Sequence, residues 1–163
     1  MSSSPTSFSV DLAKVEAMGS MPPYSSDATA AYLRLGLSSE DRLYHQLVSE
    51  LSLGSTVFKP GSSLCIAGEP AHDAYVVRHG ELAIQMAGQR HQVGPGAVIG
   101  LAAGLADVPH NMTATAVTVV TVSVIPIFKA IKAFSACHPG LRGINRSTVM
   151  RILKLASVPE SLK

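Results

Sequence analysis

Two textures of apolar positions divide the chain. Leu43, Leu47, Val48 and Leu51 recur at helical spacing and form one stripe. Ser38 or Ser39 is placed to cap that helix, with Glu40 and Asp41 in the first turn, where a helix dipole favours negative charge. Gly54 is expected to end it. Upstream, an Ala-rich run opening near Asp27 predicts another helix through Leu35. From Ser55 the pattern shortens into brief strands over residues 56–59, 63–67, 74–78, 82–86 and 90–93. Residues 113–125 read as two more strands or one long bent one. Pro60-Gly61, Gly68-Glu69-Pro70, Gly80, Ala87-Gly88 and Gly94-Pro95-Gly96 supply the turns between them. Turns this frequent point to an antiparallel sandwich, barrel or roll. Helical spacing returns over residues 127–136, stopping before Pro139-Gly140. It continues over residues 141–156, with Ile144, Val149, Ile152 and Leu155 as apolar members.

Composition narrows this picture. The 163 residues are 47% hydrophobic and 15% charged, enough to bury a core and unlike a disordered chain. Aromatics make up only 5%, with no Trp, so the core is expected to be aliphatic. Residues 1–28 are rich in Ser, carry Pro5, Pro22 and Pro23, and sustain no period. They are expected to be a flexible tail holding at most a short helix over residues 11–18. Residues 29–163 are expected to form the domain.

A net charge of +2 leaves no basic footprint for nucleic acid. Arg142, Arg146, Arg151 and Lys154 read as a solvated helix face without interleaved aromatics. Cys65 and Cys137 lie far apart and read as buried free thiols of a reducing compartment. The uncharged stretch 111–128 is rich in Thr and Val, which favours strands over a membrane helix. Residues 1–10 have no secretory pattern. A cytoplasmic protein with no membrane or nucleic-acid partner is expected.

The order of the turns resembles the cyclic-nucleotide-binding domain family. Lys59-Pro60-Gly61 followed by Gly68-Glu69 is similar to the family's first pair of turns. Residues 74–77 before His79-Gly80-Glu81-Leu82 resemble its strand, glycine turn and return strand. Val93-Gly94-Pro95-Gly96 before Ile99-Gly100 resembles the approach to its phosphate-binding cassette, and residues 128–134 the helix after the roll. The resemblance implies an α+β fold, an antiparallel β-roll of the jelly-roll, double-stranded β-helix type, flanked by N-terminal and C-terminal helices.

It also implies a site. In the family, backbone N–H groups at a helix start hold the cyclic phosphate, an acidic residue takes the ribose hydroxyl and an arginine pairs with the phosphate. Here Gly100 keeps the glycine, but Leu101 stands where the acid is expected, and the Pro-Arg pair reads Pro109-His110. Ala102 and Asn111 flank these positions, and Thr113 keeps a hydroxyl on the exit strand. The cassette therefore reads as degenerate. Two lost contacts of about 1–3 kcal/mol each imply an affinity lower by on the order of a hundredfold or more.

Protonated His110 has the chemistry to meet a phosphate, while the bland alternative is a loop histidine. The run Ala97, Val98, Ile99, Leu101, Ala102, Ala103 and Leu105 either lines an apolar pocket or packs the cassette shut. No catalytic motif and no metal-ligand spacing occurs among His45, His72, His79, His91, His110 and His138. A non-enzymatic regulatory or sensor module is expected, without a resident cofactor, its candidate ligand a cyclic nucleotide or another small anion. The alternative is a ligand-free interaction module. In either case the C-terminal helix is expected to contact a second copy or a protein partner, and no helix-turn-helix domain is expected after it.

Overall fold

The computed structural model describes residues 8–19, 21–22, 25–48, 51–137 and 139–163. Three helices come early: α1 (Leu12–Ala17), α2 (Ser26–Leu35) and α3 (Ser39–Val48). Ser25 Oγ accepts from the Ala28 amide at 3.1 Å and starts α2, two residues before Asp27. At the start of α3, the Asp41 amide donates to Ser38 Oγ and the Ser38 amide donates back to Asp41 Oδ2, at 3.1 and 3.0 Å. This reciprocal cap satisfies two amides that the helix itself leaves without partners.

The roll follows as β2 (Gly54–Phe58), β3 (Ser63–Cys65), β4 (Asp73–His79), β5 (Leu82–Met86), β6 (Gln89–Val93) and β7 (Ala97–Ile99). A short helix α4 (Leu101–Leu105) interrupts it before β8 (Thr113–Ala116) and β9 (Val120–Pro126). Residues 113–125 thus make two strands. α5 (Ile127–Ser135) and α6 (Pro139–Leu153) close the chain, with a 3-10 turn at Glu160–Leu162.

With β1 (Phe8–Ser9), the strands form two antiparallel sheets, ordered β1-β7-β4-β9-β2 and β3-β8-β5-β6. Successive strands such as β4 and β5 lie on different sheets, and this exchange wraps the strands into a roll. The fold is α+β, an antiparallel β-roll flanked by helices. Between β5 and β6 the two-residue turn Ala87-Gly88 has positive φ at both positions (52° and 77°), the twist that suits a tight hairpin.

β4 explains how roll and helices share one core. Side chains alternate along a strand. Tyr75 and Val77 pack inside the roll with Leu82, Ile84, Ile99, Val120 and Val122. Ala74 and Val76 face the other way, against Leu43, Leu47, Leu101, Leu105 and Phe134. A strand buried on both faces reads as a continuous apolar run rather than an alternation.

Three expectations need correction. Gly54 opens β2 rather than ending α3, whose last described residue is Val48. Pro139 and Gly140 begin α6 rather than separating two helices; proline is tolerated in a first turn, where its missing N–H has no intrahelical partner anyway. The segment expected to be a flexible tail is partly built into the fold. Phe8–Ser9 pairs with β7, and the Val10 amide donates to Gly96 O at 2.8 Å. The Asp11 amide donates to Asp41 Oδ1 at 2.8 Å, and Phe8, Val10 and Met18 are buried. Residues 1–7 lie outside the described residues.

Candidate functional site

The expected cassette begins where β7 passes through Gly100 into α4. Gly100 has φ +85°, and a Cβ there would stand 2.7 Å from Cε1 of His110. Only glycine meets both conditions without strain. The next residue turns away from the roll. Leu101 and Leu105, one helical turn apart, are fully buried in the core shared with α3 and α5, and Ala102 packs there too. Asn111 is exposed. Thr113 Oγ1 accepts from the Ala67 amide at 3.0 Å, so the hydroxyl braces the turn after β3.

His110 is the hub of this region. Its amide donates to Glu69 O and its carbonyl accepts from the Gly68 amide, both at 2.9 Å. Burial holds its pKa below the usual value; Glu69 opposes that shift and His72 adds to it. The imidazole is therefore held toward its neutral form, which does not pair with an anion as an arginine would.

Gly100, Ala102, His110 and Asn111 share one cavity of only about 20 Å³, into which Phe8 of β1 and Ile152 and Leu153 of α6 also pack. That is room for about one water. Leu101 and Thr113 are not part of its lining. A second cavity of about 220 Å³ opens at the mouth of the roll between Cys65, Glu69, His72, Asp73, Tyr75 and His110. Its lining holds two carboxyl side chains and no Lys or Arg. Burial pushes the Cys65 thiol up to about 11, so it is protonated and unreactive at neutral pH.

Except for His110, sequence reasoning missed this second group. The signal was present: Asp73 and Tyr75 alternate on the inward face of β4, and Glu69 was read only as part of a turn. A larger cavity, about 630 Å³, lies between Asp107-Val108-Pro109 and α5, with Gly104, His72 and Asp73 also in its lining. Phe128, 69% exposed, stands at its edge. Among the described residues no cluster of three His, Cys, Asp or Glu is placed to hold a metal. Among them, too, no helix is long and apolar enough to cross a membrane.

The C-terminal helix spends most of its apolar stripe internally. Val149 and Ile152 are buried in the core and Leu155 packs against it, leaving Ile144 exposed.

No curated protein matches the chain in sequence. Among solved structures, an EAL enzyme in its cGMP-bound form is similar with a TM-score of 0.55 and 14% identity, over 61% of this chain and 28% of that one. This chain therefore spans less than a third of that enzyme. The halfsite-occupied form of the EAL enzyme gives a TM-score of 0.50 and 14% identity, over 63% of this chain and 97% of that one. A cyclic nucleotide-binding-like protein from Brucella abortus shares 22% identity over 58% of this chain and 84% of its own, with a TM-score of 0.46. At 14% identity the likeness to the EAL enzyme is one of fold. The sequence profile of the cyclic nucleotide-binding domain matches residues 55–134, from β2 to α5. The β-roll of this chain, with the strand order and the Gly100 turn just described, belongs to the cyclic nucleotide-binding domain family.

Proposed function

We propose that this chain is a cyclic-nucleotide-binding-like regulatory module in which binding of cyclic AMP or cyclic GMP is weak or lost. The observation that carries the reading is Leu101, fully buried where the resemblance would place the acid that takes a ribose hydroxyl. A buried leucine offers that hydroxyl no hydrogen bond. The two spaces that His110 itself lines support it. The cavity at Gly100 and His110 holds about 20 Å³, and the roll's mouth about 220 Å³, against roughly 300–1,000 Å³ for a small-molecule pocket. Glu69 and Asp73 also give the mouth the wrong sign of charge for a phosphate.

In this reading the domain is not an enzyme, and it works in the cytoplasm by contact with other proteins or a second copy of itself. A ligand-free interaction module is the second reading, favoured by Phe128, exposed beside the 630 Å³ cavity. Calorimetric titration with cyclic AMP and cyclic GMP tests both. The expected result is no saturable heat at micromolar concentration. Weak binding at millimolar concentration supports the altered sensor, and none at all supports the ligand-free module. Micromolar binding of either nucleotide overturns the proposal.

A further inference from the structure

A fourth space lies where faces of three helices converge. Thr29 and Tyr32 come from α2, Ser39, Arg42 and Gln46 from α3, and Leu141, Ile144 and Asn145 from α6. Each set is spaced three or four residues apart, which puts it on one helical face. Together with Leu37 they enclose about 420 Å³, within the range of small-molecule pockets.

The lining combines apolar walls with two polar side chains, Arg42 and Gln46, that each carry a buried atom without a hydrogen-bond partner among the described residues. Leu37, Leu141 and Ile144 supply the walls. Arg42 is the single charged residue of the lining, and no carboxylate pairs with it among the described residues. Its guanidinium carbon lies 5.5 Å from the centre of the Tyr32 ring, which holds the fork in place. Arg42 Nε is buried and has no hydrogen-bond partner among the described residues. Gln46, 8% exposed, hydrogen-bonds Tyr32 through its side chain, yet its Oε1 is also buried without a partner among the described residues. The Tyr32 hydroxyl meets Nδ1 of His45 at 2.8 Å, which fixes the ring in turn.

Among the described residues, one donor and one acceptor of this lining are thus left over beside an apolar wall, and His45 Nε2, on the ring behind Tyr32, is the further buried atom without a partner. A planar anion with two oxygens suits the guanidinium fork, and a neighbouring hydroxyl or amino group suits Gln46 Oε1. We propose that this cavity binds a small carboxylic acid with an apolar body and a hydroxyl or amino group next to the carboxylate. The carboxylate would meet Arg42, the donor Gln46, and the apolar body the Leu37, Leu141 and Ile144 wall. This site is separate from the roll's mouth and does not depend on whether cyclic nucleotides bind there.

The test is a ¹H–¹⁵N NMR titration of the full chain with 2-hydroxy-4-methylpentanoate, following the Arg42 Nε–H resonance. Saturable movement of that resonance is expected at millimolar concentration or below. Loss of a charge-assisted contact in Arg42→Gln should weaken binding by about ten- to a hundredfold. Ile144 is exposed, so Ile144→Trp leaves the fold intact while crowding the cavity, and it should weaken binding as well. That variant decides the matter if Arg42→Gln does not fold. An unmoved Arg42 resonance, or equal binding by wild type and Ile144→Trp, overturns the proposal. So does inorganic phosphate binding as well as the hydroxy acid, since that would mean a generic anion site.

Discussion

Around α4 the chain fills its own space, whereas between α2, α3 and α6 two residues that line a cavity carry buried polar atoms without partners among the described residues. Leu101, Ala102 and Leu105 complete an aliphatic core, and His110 sits on Gly100 with almost no room between. In the helical region Arg42 Nε and Gln46 Oε1 are buried with no partner among the described residues. Aliphatic packing saturates itself, because every contact made inside the fold is one less for a ligand. Buried polar atoms do not saturate unless each donor finds an acceptor. Packing of this kind would close a pocket at α4, and the proposed acid site draws instead on the groups left between the helices.

The contrast breaks first at Leu101. Leu101→Ala should cost about 2–5 kcal/mol, as expected for a fully buried leucine, read as a shift of the urea midpoint. A loss under about 1 kcal/mol would mean that α4 does not complete the core. Gly100→Ala comes next. Its positive φ and the clash with His110 should cost about 1–3 kcal/mol and shift the His110 imidazole resonances. Unchanged stability would show that the turn relaxes freely.

The smallest expected effect is on pH. Burial holds His110, beside Glu69 and His72, and His45, beside Tyr32, below the usual 6.5. In the window just beneath 6.5 the unfolded chain therefore binds more protons than the folded one. Stability should fall as pH drops from 6.5 toward the folded pKa values, by at most about 1.4 kcal/mol per unit for each histidine. Urea midpoints at pH 7.5, 6.5 and 5.5 should show this, and His110→Asn should flatten part of the slope. A midpoint that rises on acidification contradicts the assignment.

Much of the roll was legible because its signals are local. The return strand Leu82–Met86 stands where alternation and the glycine turn put it, and the strand expected over Arg90–Val93 starts one residue earlier, at Gln89. β7 and α4 were harder, since Ala97 to Leu105 is one apolar run whose turn into a helix depends on Gly100 and the cores on either side. The N-terminal segment was misjudged for a related reason. Phe8, Val10 and Asp11 gain their partners from Val98, Gly96 and Asp41, and such distant partners leave no period in the sequence. The site was legible in part: Gly100 and His110 are brought together, while Leu101 and Thr113 turn to packing and bracing.

The sequence by itself determined the turns and the strand texture, and it set Leu101 and His110 where the resemblance leads one to expect an acid and an arginine, because glycine geometry and side-chain chemistry act at single positions. Only the tertiary structure decided which apolar residues fill the core and which polar atoms end without a partner. Both depend on distant segments meeting: α2 on α3, α6 across them, and β1 against β7. A side chain's neighbours across space, not along the chain, settle whether its hydrogen bonds are spent or spare.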